Sequence, residues 1–381
     1  MAINSTTFSG REFKVYVGAD GDADYDPGVG TVNDSTNGEH MYRLDIEGIT
    51  LPTFSPNQEF EMRTGTGRVA EFGAMFSSSK AVVTEFTLSG RLTLQDFPIF
   101  IENVLAQAGT ETGNLFEIAS GYSPGNFKSG DSTGATVWNK TLTVSFVAPT
   151  AGDSYHIPGC VVTNFQVSAD MGTASGRYNY SATFQSMHTP TKGSDSFSSA
   201  KELSTALGQK NVFLVDQGVK DLNIMEYDGS TDETSIEPLF NNLSLTFDAP
   251  TQFIGQDTSG LPQVFARSVP ELNITIAGSM KYDTTTDKML EAHRDSAGTS
   301  YIQLSVNNRA LTNGEGQPFS ASIDIENHAS QLFGFIIPKA KLISASVGSG
   351  DVATMDFEAK VVDDASVTYN KVMWLATGAT A

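Results

Sequence analysis

The sequence predicts a mainly β protein in which one domain is present twice. Three observations predict it. Short segments of alternating apolar and polar residues run through the whole 381-residue chain, as they do in strands buried on one face only. Just two stretches carry a helical period. A long β-rich run opened by Ile-Pro occurs twice, as "HIPGCVVTNFQVSAD" from residue 156 and "FIIPKAKLISASVGSG" from residue 335, with Pro158 and Pro338 close to half a chain length apart.

Taken in chain order, the elements of the two halves can be matched. "FKVYVG" (13–18) is matched to "VFLVDQG" (212–218), and "YRLDIEGITLPTF" (42–54) to "LFNNLSLTFDAPTQF" (239–253). Gly-rich stretches follow in both halves, from Pro52 to Lys80 and from Ala249 to Ser268, each longer than an ordinary hairpin loop of about 2–5 residues. The strands "VTEFTLSGRLT" (83–93) and "NITIAGSM" (273–280) come next, with Gly90 set against Gly278.

After each of these strands a helix is expected. "QDFPIFIENVLAQAG" offers Asp96 as N-cap, Pro98 in the first turn, an apolar face through Ile101, Val104, Leu105 and Ala108, and Gly109 as terminator. "TTTDKMLEAHRDSAG" repeats the plan with a Thr cap, Met289, Leu290 and His293 along one side, and Gly298 at its end. The strand "LTVSFVAP" (142–149) leads to the first Ile-Pro run. Proline suits that strand opening because its missing N–H does no harm there. "YNYSATFQ" (178–185) and "ATMDFEAKVV" (353–362) close the two copies. "HTPTKGSDSFSSA" (188–200) is the polar connector between a first domain, 1–190, and a second, 201–381.

Composition narrows the function. The net charge is −21, from 23 Lys plus Arg against 44 Asp plus Glu, spread as −10 up to Pro190 and −11 beyond it. Phosphate backbones are held by Lys and Arg that displace counterions, so conventional nucleic-acid binding is not expected. No segment approaches the roughly 18 consecutive apolar residues of a membrane span, so the chain reads as soluble with no membrane partner. The N-terminal "MAINSTTFSGREF" lacks the basic and apolar regions of a secretory signal. Cys160 is the single cysteine, which rules out an intrachain disulfide and reads as a small buried apolar residue.

Motifs that imitate active sites lack the context their chemistry needs. "GYSPG" (121–125) fits the nucleophile-elbow spacing around Ser123, but Pro124 and a Gly/Ser loop follow where a helix should hold the hydroxyl. "GTGRVA" (65–70), with Glu85 downstream, sits among hairpins rather than in a strand-helix-strand unit. In "DGDADYDPG" (20–28), Asp20, Asp22 and Asp24 have the spacing of a calcium loop. Tyr25 stands at the glycine position, however, and Thr31 where the bidentate Glu belongs. Histidines 40, 156, 188, 293 and 328 form no ligand pair at helical spacing. No enzyme, cofactor or metal is expected.

The run "IPGCVVTNFQVSAD" followed by "GRYNYSATFQS", with strand, helix and strand before it, resembles the tail tube proteins, or major tail proteins, of long-tailed bacteriophages. The resemblance covers nearly the whole chain as two copies. The second departs from it with Lys339 where the first has Gly159. It implies two tandem tail-tube-type β-sandwich or half-barrel domains, each with one short flanking helix. It also implies a homotrimeric, pseudo-hexameric ring whose neighbours join their inner sheets around a DNA channel. The place would be the virion tail, after synthesis in the host cytoplasm. The partners would be the chain itself and tail proteins such as tape measure, terminator and tail tip, with double-stranded DNA passing without specific binding.

Two sets of residues acquire candidate roles. In "SIDIEN" and "MDFEAKVV", Asp324, Glu326, Asp356 and Glu358 alternate with Ile323, Ile325, Met355, Phe357 and Ala359, so carboxylates and core take opposite faces and the former are candidates to line the channel. The corresponding polar residues of the first copy, Asn164, Gln166, Asn179, Ser181 and Thr183, are neutral. Phe54, Phe60, Phe72, Met75 and Phe76 make the first long loop too apolar for free solvent and are candidates for contacts between rings. Two other classes stay open: a calcium-dependent surface adhesin or carbohydrate-binding β module, and a hydrolase using Ser123.

Overall fold

A computed structural model of the chain describes residues 12–19, 41–44, 46–50, 57–60, 75–78, 84–92, 96–105, 110–112, 115–118, 127–128, 142–149, 153–170, 178–186, 191–193, 223–227, 234–236, 239–256, 262–266, 273–284, 286, 287, 290, 301–307, 332–362 and 373–377. The fold is mainly β and antiparallel throughout. The strands are β1 (Lys14–Ala19), β2 (Met41–Arg43), β3 (Ile46–Ile49), β4 (Asn57–Phe60), β5 (Met75–Ser78), β6 (Thr84–Arg91), β7 (Thr110–Thr112), β8 (Leu115–Ile118), β9 (Phe127–Lys128), β10 (Leu142–Val147), β11 (Ser154–Asp170) and β12 (Tyr178–Ser186). They continue with β13 (Thr191–Gly193), β14 (Asn223–Tyr227), β15 (Thr234–Ile236), β16 (Phe240–Asp248), β17 (Gln252–Gln256), β18 (Pro262–Ala266), β19 (Asn273–Lys281), β20 (Tyr301–Asn307), β21 (Leu332–Gly348), β22 (Thr354–Val361) and β23 (Met373–Thr377). Helix α1 spans Asp96–Leu105 between β6 and β7.

Strand β11 is long enough, at 17 residues, to serve two layers. Its first half pairs with β10 and β13, and β10 continues to β1 and β2. Its second half pairs with β12, which continues to β6 and β3. Between the halves, Pro158 and Gly159 form a bulge, since Leu142 faces Cys160 while Val144 faces Ile157. Gly159 has φ 66°, a left-handed conformation that costs other residues about 1–2 kcal/mol. Proline therefore stands where the ladder is already interrupted.

The two layers meet through aromatic rings. Phe86 of β6 stacks on Phe184 of β12 at 5.1 Å and meets Phe146 of β10 edge-on at 5.5 Å. Helix α1 covers the same face, with Phe100 among Phe165, Tyr180 and Phe184 and with Ile101, Val104 and Leu105 buried beside it. Ala108 and Gly109 lie outside the described residues. Asn103, also buried, points its Oδ1 at the backbone N–H of Val162, 2.8 Å away. That donor stands beside a second bulge, at Thr163, where Val162 faces Phe184 and Asn164 faces Thr183. The Asn103 side chain thus satisfies a main-chain donor at an irregular point of the ladder.

The same order of pairings is found again further along. β21, also 17 residues, pairs through its first half with β20 and β23 and through its second half with β22. β22 continues to β19 and β16, and β20 to β14 and β15. The irregularities recur in place: one at Pro338 and Lys339, one at Ile343 where the first set has Thr163, and one at Asn241 where β3 has Glu47.

These shared bulges correct two matches made on sequence. The strand that takes the place of β1 is β14, Asn223–Tyr227, while residues 212–218 lie outside the described residues. Gly90 faces Tyr180 and, through it, Val167, four residues past its bulge; the residue so placed in the second set is Met280, not Gly278. The cap after β19 also differs from the expected Thr. Asp283 accepts from the N–H of Thr286, and Thr286 Oγ1 accepts from the N–H of Asp283, a reciprocal capping box before the first helical bond, from the Asp287 N–H to the Asp283 carbonyl. Met289, His293 and Gly298 lie outside the described residues.

Candidate assembly surface

The two sets of strands are joined edge to edge. The second half of β11 pairs with β16 from Asn164↔Asp248 to Asp170↔Asn242, producing one antiparallel run in the order β3, β6, β12, β11, β16, β19, β22, β21. Phe165 and Phe247 face each other across this junction, their centroids 6.3 Å apart. Leu243 and Leu245 are buried there with Val167 and Ala169.

One face of the run is dry and the other wet, as the burial of its strands records. In β12, Tyr178, Tyr180, Ala182 and Phe184 are buried while Asn179, Ser181, Thr183 and Gln185 are half-buried. In β22, Met355, Phe357 and Ala359 are buried while Asp356, Glu358 and Lys360 are exposed. The expectation that carboxylates and core take opposite faces of "MDFEAKVV" is met. The wet face is a carpet of short polar side chains tied across strands. Thr87 Oγ1 and Thr183 Oγ1 are 3.1 Å apart, Gln185 donates to Glu85 at 3.0 Å, and Gln166 donates to Thr246 at 3.3 Å across the junction of the two sets.

Charge on this face is mixed rather than acidic. Asp356 and Glu358 share it with Lys360, which stands opposite Lys341, and Arg91 is paired to Glu47 at 2.7 Å. Asn164 and Gln166 of β11 lie on the same face, and the residues in their place on β21 are Ser344 and Ser346. Asp324 and Glu326 lie outside the described residues.

Of the residues singled out for ring stacking, Phe60 lies on β4 opposite Met75 of β5, and Phe76 opposite Glu59, in a hairpin of its own. Phe54 and Phe72 lie outside the described residues. The second long stretch also forms a hairpin, β17 with β18, and β18 pairs further with β9.

The run ends in two edges that carry no ladder partner among the described residues: β3 on the side away from β6, and the second half of β21 on the side away from β22. The β21 edge is apolar in part. Ile343 and Val347 are 49% and 45% exposed, and Val352 in the following turn 64%, whereas Val167, in the place of Val347 on β11, is 2% exposed. Sequence reasoning missed this edge. The sequence "KLISASVG" carries its signal, since Ile343, Ala345 and Val347 continue the apolar alternation to the end of the strand.

Chemical sites are sparse by comparison. Among the described residues no group of His, Cys, Asp and Glu could hold a metal ion. His156 is buried with Nδ1 2.9 Å from Ser145 Oγ, and Cys160 is buried with its thiol donating to the Ile157 carbonyl. Ser123, the 20–28 loop, residues 65–70 and the other four histidines lie outside the described residues. No helix among those residues is long and apolar enough to cross a membrane. No protein-family model and no curated protein matches the chain.

Proposed function

We propose that the chain is a structural subunit of a bacteriophage tail tube. It consists of two tandem β-sandwich domains, 1–190 and 201–381, joined by 188–200, each with one flanking helix. Three chains form a pseudo-hexameric ring, and rings stack into the tube that conducts DNA. The observation that carries this reading is the single sheet shared by two equivalent sets of strands, wet on one face and without a ladder partner at either end among the described residues. A chain that repeats its own pairing order is built to be extended by more of the same. The wet face, with Asn179, Ser181 and Thr183 in one set and Asp356 and Glu358 in the other, is the proposed lumen. Short neutral side chains, the carboxylates of Asp356 and Glu358 and the Arg91–Glu47 pair give passing phosphates little to hold beyond Lys341 and Lys360. The hairpin carrying Phe60, Met75 and Phe76 is proposed to contact the next ring.

Electron microscopy and native mass measurement of the purified chain test the reading. Hollow tubes, and a ring of three chains as the smallest closed species, are the expected result. A monomer as the single species at every concentration, or calcium-dependent binding of a glycan by that monomer, would overturn it.

A further inference from the structure

Resting on that reading, we infer that the free edge of β21 pairs with the β3 edge of a second copy of this chain in the register that β11 and β16 already use, and that this between-chain junction is the weaker of the two. The shared bulges fix the register. On β21, Gly348, Ser349 and Gly350 stand where Ser168, Ala169 and Asp170 stand on β11, counted from Ile343 and Thr163. On β3 and the residue after it, Gly48, Ile49 and Thr50 stand where Asn242, Leu243 and Ser244 stand on β16, counted from Glu47 and Asn241. Since Ser168 faces Ser244 and Asp170 faces Asn242 within the chain, Gly348 faces Thr50, and Gly350 faces Gly48, between chains.

The directions of the backbone donors agree. Thr50 gives its N–H to Thr87 on β6, so the N–H of Ile49 is the one that looks outward, toward a neighbour. The occupant is a second copy because the one strand seen to cover such an edge, β16, is the counterpart of β3. Junction strength follows from the side chains. Within the chain, Phe165 and Val167 meet Phe247 and Leu245, and all four are buried. Ala345 and Val347 take the places of Phe165 and Val167 on β21, so less apolar surface is removed from water when chains meet. The fused pair is therefore the durable unit, and assembly reverses at the β21 edge.

Cysteine pairs test register and partner together. Thr50→Cys with Gly348→Cys occupies a non-hydrogen-bonded pair, where Cα atoms lie about 4.5 Å apart, within disulfide reach. At Gly348 an added Cβ lies 3.3 Å from Thr354 Oγ1 and 3.8 Å from the Thr354 carbonyl oxygen, so it is accommodated once the Thr354 hydroxyl rotates. Thr50→Cys with Ser344→Cys is four residues out of register, about 13 Å, beyond reach. Ser168→Cys with Ser244→Cys is the matching pair inside the chain and verifies the oxidation chemistry. The expected result is covalent multimers from the first pair, none from the second, and an internal crosslink from the third. Val347→Lys should leave a folded single chain that no longer assembles. Tubes without crosslinking of the first pair would overturn the register while leaving the tube reading standing. Crosslinked multimers without tubes would do the reverse. Assembled Val347→Lys chains would remove the edge from the assembly altogether.

Discussion

Replacing Asn103 by Ala should unseat the bulge around which the first set of strands is organised. The side chain is 2% exposed and holds the N–H of Val162, itself fully buried, at 2.8 Å. Truncation removes that acceptor from a buried site, and a buried donor stripped of its partner costs about 1–3 kcal/mol. Alanine is the better helix former, which offsets at most ~0.7 kcal/mol of that, and a net loss of up to about 2 kcal/mol is expected. For a urea dependence of ~2 kcal/mol/M this is a midpoint shift of up to about 1 M. Circular dichroism through a urea titration gives the shift, and hydrogen exchange at the Val162 amide localises it. Asn103→Asp sharpens the test. It keeps an acceptor but would bury a charge, so its carboxyl is held protonated by desolvation and its deficit relative to wild type should shrink as pH falls below the carboxylate range and grow as pH rises. An unshifted Asn103→Ala midpoint with Val162 still slow to exchange would refute the reasoning.

Two further outcomes follow from packing. Gly278→Ala places a Cβ 2.8 Å from the Asn242 carbonyl oxygen and 3.0 Å from the Phe357 ring, so a loss of about 1–3 kcal/mol is expected in the same titration; Gly48→Ala meets the rotatable Ser89 hydroxyl and should stay within ~0.5 kcal/mol. Burial of Tyr178 pushes its phenol well above the ordinary 10.0, so the stability it contributes is intact below that value and is lost as pH rises past it, when the unfolded chain ionises first. Tyr178→Phe should therefore raise the alkaline unfolding midpoint relative to wild type, and identical alkaline profiles would remove burial as the cause.

Much of the fold could be read from residue pattern because the physics was local. Alternation in "YNYSATFQ" and "MDFEAKVV" names the dry face without any partner, and the apolar stripe of "DFPIFIENVL" names a helix. Register is another matter. A strand has a side-chain period of two, so sliding Gly90 onto Gly278 instead of Met280 leaves every residue on its proper face and costs the pattern nothing. Bulges alone distinguish the two alignments, and bulges depend on contacts such as Asn103 to Val162 that lie far apart in the chain. "FKVYVG" and "VFLVDQG" were matched on composition, yet it is "NIMEY", with a polar start and an acidic residue inside, that lies beside β20. Tertiary pairing there overrides local propensity. The polar face of β22 is legible, Lys360 included, whereas Lys341 joins that face only through the pairing of β21 with β22.

The order in which β11 acquires its neighbours has a consequence during synthesis. β12 follows it within one short connection, but β16, which closes its other edge, is made roughly 70 residues after Asp170. At about 5–20 residues per second, a nascent chain waits on the order of ten seconds with Phe165, Val167 and Ala169 beside an uncovered strand. Neighbouring ribosomes on one messenger carry the same exposed segment at the same time. The fused second set of strands then acts as a tethered cap, present at a local concentration no free chain can match. Of the two edges without a ladder partner among the described residues, β3 is made early, whereas the β21 edge is made roughly 300 residues later, after β16 has covered β11.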